Sequence, residues 1–199
     1  FLIRPYDEHR LTRTMERIGV KEGFFAVSLR PPVQKNTDIS PTHTADEAVE
    51  ACVKITEKYG LVPFVIPMQT MQDGEICRYF AEKYNERMRG KGRTALLYTP
   101  ENAPELIGVL SKAEFVIGMR LHAIIFASSA EVPVVGLEYD PKVASMMKAL
   151  GQPFVVDLGT SADIGGETLS CVERIMEDRA GIGRAQGPFL RGGYPGSDR

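Results

Sequence analysis

In the segment Gly118-Met119-Arg120-Leu121-His122-Ala123, an arginine and a histidine interrupt a strongly apolar run that extends from about Phe115 to Ala130. Charged side chains seldom enter such a run unless they are paired. The segment leads from a strand-like run into a helix-like one, so Arg120 and His122 fall at a helix start. There, free backbone N–H groups and the positive dipole end attract an anion. A guanidinium can hold phosphate or carboxylate through two parallel hydrogen bonds, and an imidazole can donate or accept a proton near neutral pH. The pair reads as an anion-binding and acid–base unit. The plainer alternative is an arginine tied to a carbonyl and a histidine hydrogen-bonded in the interior.

Such a unit has to be carried on strands that end together. Short apolar runs alternate with longer amphipathic stretches, the pattern of βαβ units and a parallel sheet. Strands are predicted at 24–29, 62–67, 94–98, 115–119, 132–137 and 154–158, and helices at 45–59, 74–88, 104–113, 121–130, 141–150 and 167–179. One more helix is predicted within residues 1–20. Thr44 or Asp46 is expected to cap the helix at 45–59, Pro104 to occupy its helix's first position, and Asp140 to cap the helix that Pro141 opens. The strands are apolar without alternation, as in a sheet covered on both faces. The fold class is therefore α/β, a Rossmann-like doubly wound parallel sheet. Arg30-Pro31-Pro32-Val33-Gln34 follows the first strand in place of GxGxxG, so the dinucleotide fingerprint is absent.

Ligands of such sheets bind outside the carboxyl ends of the strands. The first strand delivers Ser28 and Arg30 there, and the second delivers Gln69, with Asp73 and Glu75 behind it. The third exits through Thr99 and Glu101, the fourth through Arg120 and His122, and the fifth through Glu138, Tyr139, Asp140 and Lys142. Each has a duller reading. Arg30 can be a surface ion pair, Asp73 a helix cap with Glu75 in the first turn, and Asp140 a cap even if Glu138 meets a substrate. His9 and His43 read as surface residues.

Composition narrows the function class. A chain of 199 residues with 43% hydrophobic and 25% charged residues supports one sizeable core. A formal charge of −2 lacks the cationic field of nucleic-acid binders, which argues against DNA or RNA as partners. The apolar run at 115–130, broken by Arg120 and His122, is shorter than the ~20 residues of a transmembrane helix. Cys52, Cys77 and Cys171 are odd in number and widely spaced, so neither a disulfide framework nor a metal site is expected, and a reducing, cytoplasmic compartment fits. Residues 1–20 are expected to be a linker and helix from a domain that precedes them, 21–180 the ligand-binding domain, and 181–199 a Gly/Arg-rich tail with six glycines and three arginines.

Four strings taken in order resemble the polysaccharide pyruvyl transferase family: FAVSLRP from Phe25, VIPMQ with Asp73 and Glu75, ELIGVLSKAEFVIGMRLHAIIFA from Glu105, and VPVVGLEYDPKV from Val132. The resemblance runs from Phe25 to Leu158 and is closest to the bacterial CsaB type, which acts in making pyruvylated secondary cell-wall polymer and so in S-layer anchoring. Residues 34–44 and those after Gly181 lie outside it.

The resemblance implies the C-terminal half of a glycosyltransferase-B-like enzyme with its site in a cleft between two Rossmann-like halves. It implies transfer of the enolpyruvyl unit of phosphoenolpyruvate onto a sugar as a pyruvate ketal, with a lipid-linked saccharide as acceptor and no further cofactor. A cytoplasmic enzyme, peripheral at the inner face of the membrane, follows from that acceptor. Arg120 and His122 inherit the donor site by motif. Arg30, Gln69 and Lys142 are the further candidate binding residues, with His122 as acid–base and Glu138 as its alternative or partner. Arg120→Ala is expected to weaken donor binding and leave the melting temperature nearly unchanged. Two other readings stay open: a nucleotide-sugar glycosyltransferase or epimerase of the same architecture, and a non-catalytic anion-binding module.

Overall fold

The computed structural model describes residues 7–20, 23–31 and 42–177. Along the described chain run α1 (Glu8–Ile18), β1 (Phe24–Ser28), α2 (His43–Tyr59), β2 (Val62–Val65), α3 (Thr70–Arg87), β3 (Leu96–Leu97) and α4 (Ala103–Leu110). They are followed by β4 (Val116–Gly118), α5 (Leu121–Ser129), β5 (Val134–Glu138), α6 (Pro141–Ala149), β6 (Phe154–Asp157) and α7 (Ile164–Glu177). The Gly/Arg-rich tail at 181–199 and most of 34–44 lie outside the described residues.

All the pairings are parallel, and the sheet order is β3-β2-β1-β4-β5-β6. The order reverses between β1 and β4, where the chain winds outward in both directions and leaves a crevice at the strand ends. Ser28 pairs with Gly118 at that reversal, so the residues just beyond them, up to Arg30 and Arg120, flank the crevice.

Successive side chains of the strands point to opposite faces and build two cores. Phe25, Val27 and Ile117 join the faces of α2, α3 and α7, whereas Phe24, Ala26 and Val116 join α1, α4, α5 and α6. Burial on both faces explains why the strands read as unbroken apolar runs. Gly118 has a packing reason: a Cβ there would stand 3.3 Å from Ile124 Cγ1, so its absence lets α5 begin close against the strand end. Cys52 and Cys77 are buried in the first core, and burial pushes both thiols up, that of Cys77 to about 12.

Several boundaries differ from expectation. The strand expected at 94–98 pairs only at Leu96–Leu97, because the Ala95 N–H turns instead to Asn85 Oδ1 of α3 at 2.8 Å. The second helix begins at His43, so Asp46 lies inside its first turn and accepts the Tyr79 hydroxyl at 2.7 Å rather than capping. Pro104 is the second residue of α4, behind Asn102, whose side chain accepts the Glu105 N–H at 2.9 Å. Asp140 caps α6 as expected, accepting the Lys142 N–H at 3.1 Å.

Candidate active site

Arg30, Gln69, Arg120, His122, Tyr139 and Lys142 line one open cavity of about 430 Å³ at the carboxyl edge of the sheet, beside the β1/β4 reversal. Four strands contribute: β1 leads to Arg30, β2 to Gln69, β4 to Arg120 and His122, and β5 to Tyr139 and Lys142.

Arg120 is held by a partner that the sequence does not advertise. Its Nε donates to both carboxylate oxygens of Asp73 at 3.1 Å, its Nη2 bonds Asp73 again, and Nη2 also reaches Gln72 Oε1 at 3.1 Å. Asp73 has no solvent exposure, and its Oδ2 further accepts the Gln69 N–H at 2.9 Å, closing the start of α3. A buried charge is tolerated when paired and hydrogen-bonded, and this one is both. Asp73 therefore serves the capping role anticipated for it from inside α3, which begins at Thr70 and not at Gly74. Arg120 contributes to the cavity with its outward edge, while its inward edge is structural.

Arg30 is arranged differently. Its Nε donates to the carbonyl of Pro31 at 3.3 Å, and its guanidinium carbon lies 4.3 Å from the centroid of the Tyr139 ring. Among the described residues it makes no ion pair. Lys142 Nζ lies 5.6 Å from the same ring and 3.7 Å from Asp140 Oδ2, with its side chain half exposed. The cavity is thus cationic, and its one tightly neutralised cation is Arg120.

His122 stands exposed in the first turn of α5, its ring centroid 6.0 Å from that of Phe126. Among the described residues no hydrogen bond fixes the ring, which sets aside the interior-histidine alternative. No side chain caps α5, so the backbone N–H groups of its first turn face this edge with their dipole end positive.

Glu138 does not line the cavity. It ends β5 opposite Asp157 of β6, and desolvation, then Asp157 and Asp140, raise its carboxyl above the usual value of 4.5. A raised carboxyl opposes folding where it must ionise, so its favourable contribution is present in acid and lost as pH rises through the raised value. Glu138→Gln is accordingly expected to raise the melting temperature at neutral pH, with the gain vanishing toward pH 4; thermal melts across pH check this, and a loss at neutral pH would contradict it.

Other strand exits are used elsewhere. Glu101 pairs with Arg17 of α1 at 3.4 Å, and buried Glu105 accepts the Tyr98 hydroxyl, the Glu101 N–H at 2.9 Å and Arg17 at 3.3 Å, docking α1 onto α4. Ser28 is buried away from the cavity. Among the described residues no three His, Cys, Asp or Glu side chains form a metal-ligating group, and no helix is long and apolar enough to cross a membrane. Tyr139 is a lining residue to which sequence reasoning gave no role; the signal available was its place at the exit of β5, three residues before Lys142.

A family profile described as polysaccharide pyruvyl transferase matches residues 14–141. The span opens inside α1, earlier than the resemblance read from the motifs, and ends one residue before Lys142. A search of curated proteins finds no match. Among solved structures, UDP-GlcNAc 2-epimerase from Methanocaldococcus jannaschii in complex with UDP-GlcNAc and UDP is similar with a TM-score of 0.57 and 15% identity, over 85% of this chain and 42% of that one. Anabaena HepE in complex with UDP and glucose gives 0.60 and 10% identity over 95% and 48%. A glycosyltransferase from Rickettsia africae gives 0.59 and 10% over 90% and 45%. The chain spans less than half the length of each, and what it shares with them is the Rossmann-like fold. With more than half of its 199 residues inside the family match, this chain belongs to the polysaccharide pyruvyl transferase family.

Proposed function

We propose that this chain is the donor-binding half of an enzyme that transfers the enolpyruvyl unit of phosphoenolpyruvate to a saccharide as a pyruvate ketal. The observation that carries the reading is the cationic cavity at the β1/β4 reversal, where Arg30, Lys142 and the uncapped start of α5 converge beside Arg120, whose charge Asp73 offsets. Phosphoenolpyruvate bears a phosphate and a carboxylate on one carbon, and holding it needs fixed positive donors on more than one side. Family membership supports the class of reaction. The coverage of less than half of the structural neighbours supports a further domain that completes the cleft and binds the acceptor.

The reaction divides into steps that this site can serve. An acid delivers a proton to the methylene carbon of the enol, and positive charge develops on the carbon bearing the phosphate. A sugar hydroxyl attacks that carbon and gives up its proton, the carbon–oxygen bond to phosphate breaks, and a second hydroxyl closes the ketal, its proton leaving with the phosphate. His122, exposed in the cavity and unrestrained by a hydrogen bond, is the residue placed to give the first proton and take the second. Gln69 at the rim orients a hydroxyl. Glu138, outside the cavity and held toward its protonated form, reaches the chemistry only through a second group. The acceptor we infer from the motif resemblance is a lipid-linked saccharide of the secondary cell-wall polymer type, modified at the cytoplasmic face of the membrane.

Arg30→Ala tests the binding claim. Loss of a charged hydrogen-bonding donor is expected to weaken phosphoenolpyruvate binding by about 1.5–3 kcal/mol, with little change in melting temperature because Arg30 lacks an ion pair among the described residues. Calorimetric titration checks it; unaltered affinity would remove Arg30 from the site. One observation favours a second reading, nucleotide-sugar chemistry: solved neighbours of the same fold hold UDP or UDP-sugars. Binding of UDP-GlcNAc without binding of phosphoenolpyruvate would select it.

A further inference from the structure

Tyr139 has no role in the donor reading above, on which this inference rests. Its ring is partly buried and packs against both cores, the one beneath α2, α3 and α7 and the one beneath α1, α4, α5 and α6. A ring gripped from both faces of the sheet is a fixed wall. On its cavity side lie two cations, Arg30 at 4.3 Å and Lys142 at 5.6 Å from the centroid. Arg30 Nε is turned to the Pro31 carbonyl at 3.3 Å. Among the described residues the two Nη groups make no hydrogen bond, and they form the edge that matches a carboxylate or phosphate through parallel hydrogen bonds.

A long arginine side chain loses rotamer freedom when it binds, and ordering it beforehand removes that cost from the binding step. The two cavity arginines are ordered by opposite devices. Asp73 orders Arg120 and neutralises it. An aromatic face orders a guanidinium through its quadrupole and leaves the charge in place. A carboxylate where Tyr139 stands would fix Arg30 equally well and cancel the field that an anionic donor needs. The geometry points to Tyr139 as a positioning residue of the donor site, a neutral platform that presents Arg30 at full charge to phosphoenolpyruvate.

Titration of the chain with phosphoenolpyruvate tests this. Tyr139→Phe keeps the ring and should bind within about twofold of the unmodified chain, whereas Tyr139→Leu should weaken binding about 5- to 30-fold, the range of a partly desolvated cation–π contact. In an Arg30→Ala background, Tyr139→Leu should add little, because its effect passes through Arg30. Tyr139→Met supplies a second ring-free variant should the leucine variant melt early. In the unmodified chain, NMR should show Arg30 side-chain protons displaced upfield by the ring, independently of how any variant folds. The platform is overturned by unshifted Arg30 protons, by equal losses in both backgrounds, or by a Tyr139→Phe loss as large as that of Tyr139→Leu. Absence of phosphoenolpyruvate binding by the unmodified chain overturns the donor reading and the platform together. Binding that Arg30→Ala weakens and both ring-free variants leave intact overturns the platform alone.

Discussion

Arg120→Ala will destabilise the fold by about 3–5 kcal/mol, the cost of leaving a buried partner charge uncompensated. For a chain of this size that corresponds to a fall of roughly 6–20 °C in melting temperature. The cause is Asp73, which has no exposure and whose carboxylate faces Arg120 with both oxygens. This reverses the sequence-based expectation of an unchanged melting temperature. The motif arginine is read there as a ligand-facing side chain, and its partner is 47 positions away, on another helix. A control separates charge from packing. Replacing the pair together, Asp73→Leu with Arg120→Met, removes both charges at similar volume and should recover much of the loss. A single Arg120→Ala variant as stable as the parent by thermal melt would show that the pair carries no weight in the fold.

Two residues further on, His122→Ala should have the opposite profile. The side chain is exposed and unbonded among the described residues, so its removal should leave stability within about 0.5 kcal/mol. In the full-length enzyme proposed above, kcat should fall by about 10²–10⁴-fold, the usual contribution of a positioned acid–base group, while the donor dissociation constant stays near its original value. Phosphate release from phosphoenolpyruvate in the presence of acceptor measures the first quantity and titration the second. A parallel loss of affinity and turnover would make His122 a binding residue; unchanged turnover would remove it from the chemistry. Arg120 then belongs mainly to the fold and His122 to the reaction, although they share one motif.

The sheet was legible because its central strands β1, β2, β4 and β5 are buried on both faces and therefore nearly unbroken in apolar residues. The third strand was an exception: it is only two residues long with neither of them buried, and Asn85 takes the Ala95 N–H. Helix starts were legible where an Asx or Pro residue marks them, as at Asp140-Pro141. They were not legible at α3, which is closed from inside by Asp73. Positions at strand exits follow from topology, which is why Arg30, Gln69, Arg120, His122 and Lys142 come to one cavity. Direction and pairing do not follow from topology. Glu138 is the last residue of its strand and lies beside Asp157, outside the cavity, while Tyr139 directly after it lines the wall.

Phosphoenolpyruvate binding to this 199-residue chain is the most direct measurement of the central claim, since the cavity is built wholly from its own residues. Calorimetry should show saturable binding of phosphoenolpyruvate, weakened about tenfold or more by Arg30→Ala in a protein that still melts like the parent. UDP-GlcNAc should give no saturable heat. Saturable UDP-GlcNAc binding with none by phosphoenolpyruvate, or phosphoenolpyruvate binding indifferent to Arg30, would contradict the donor site assigned to the β1/β4 reversal.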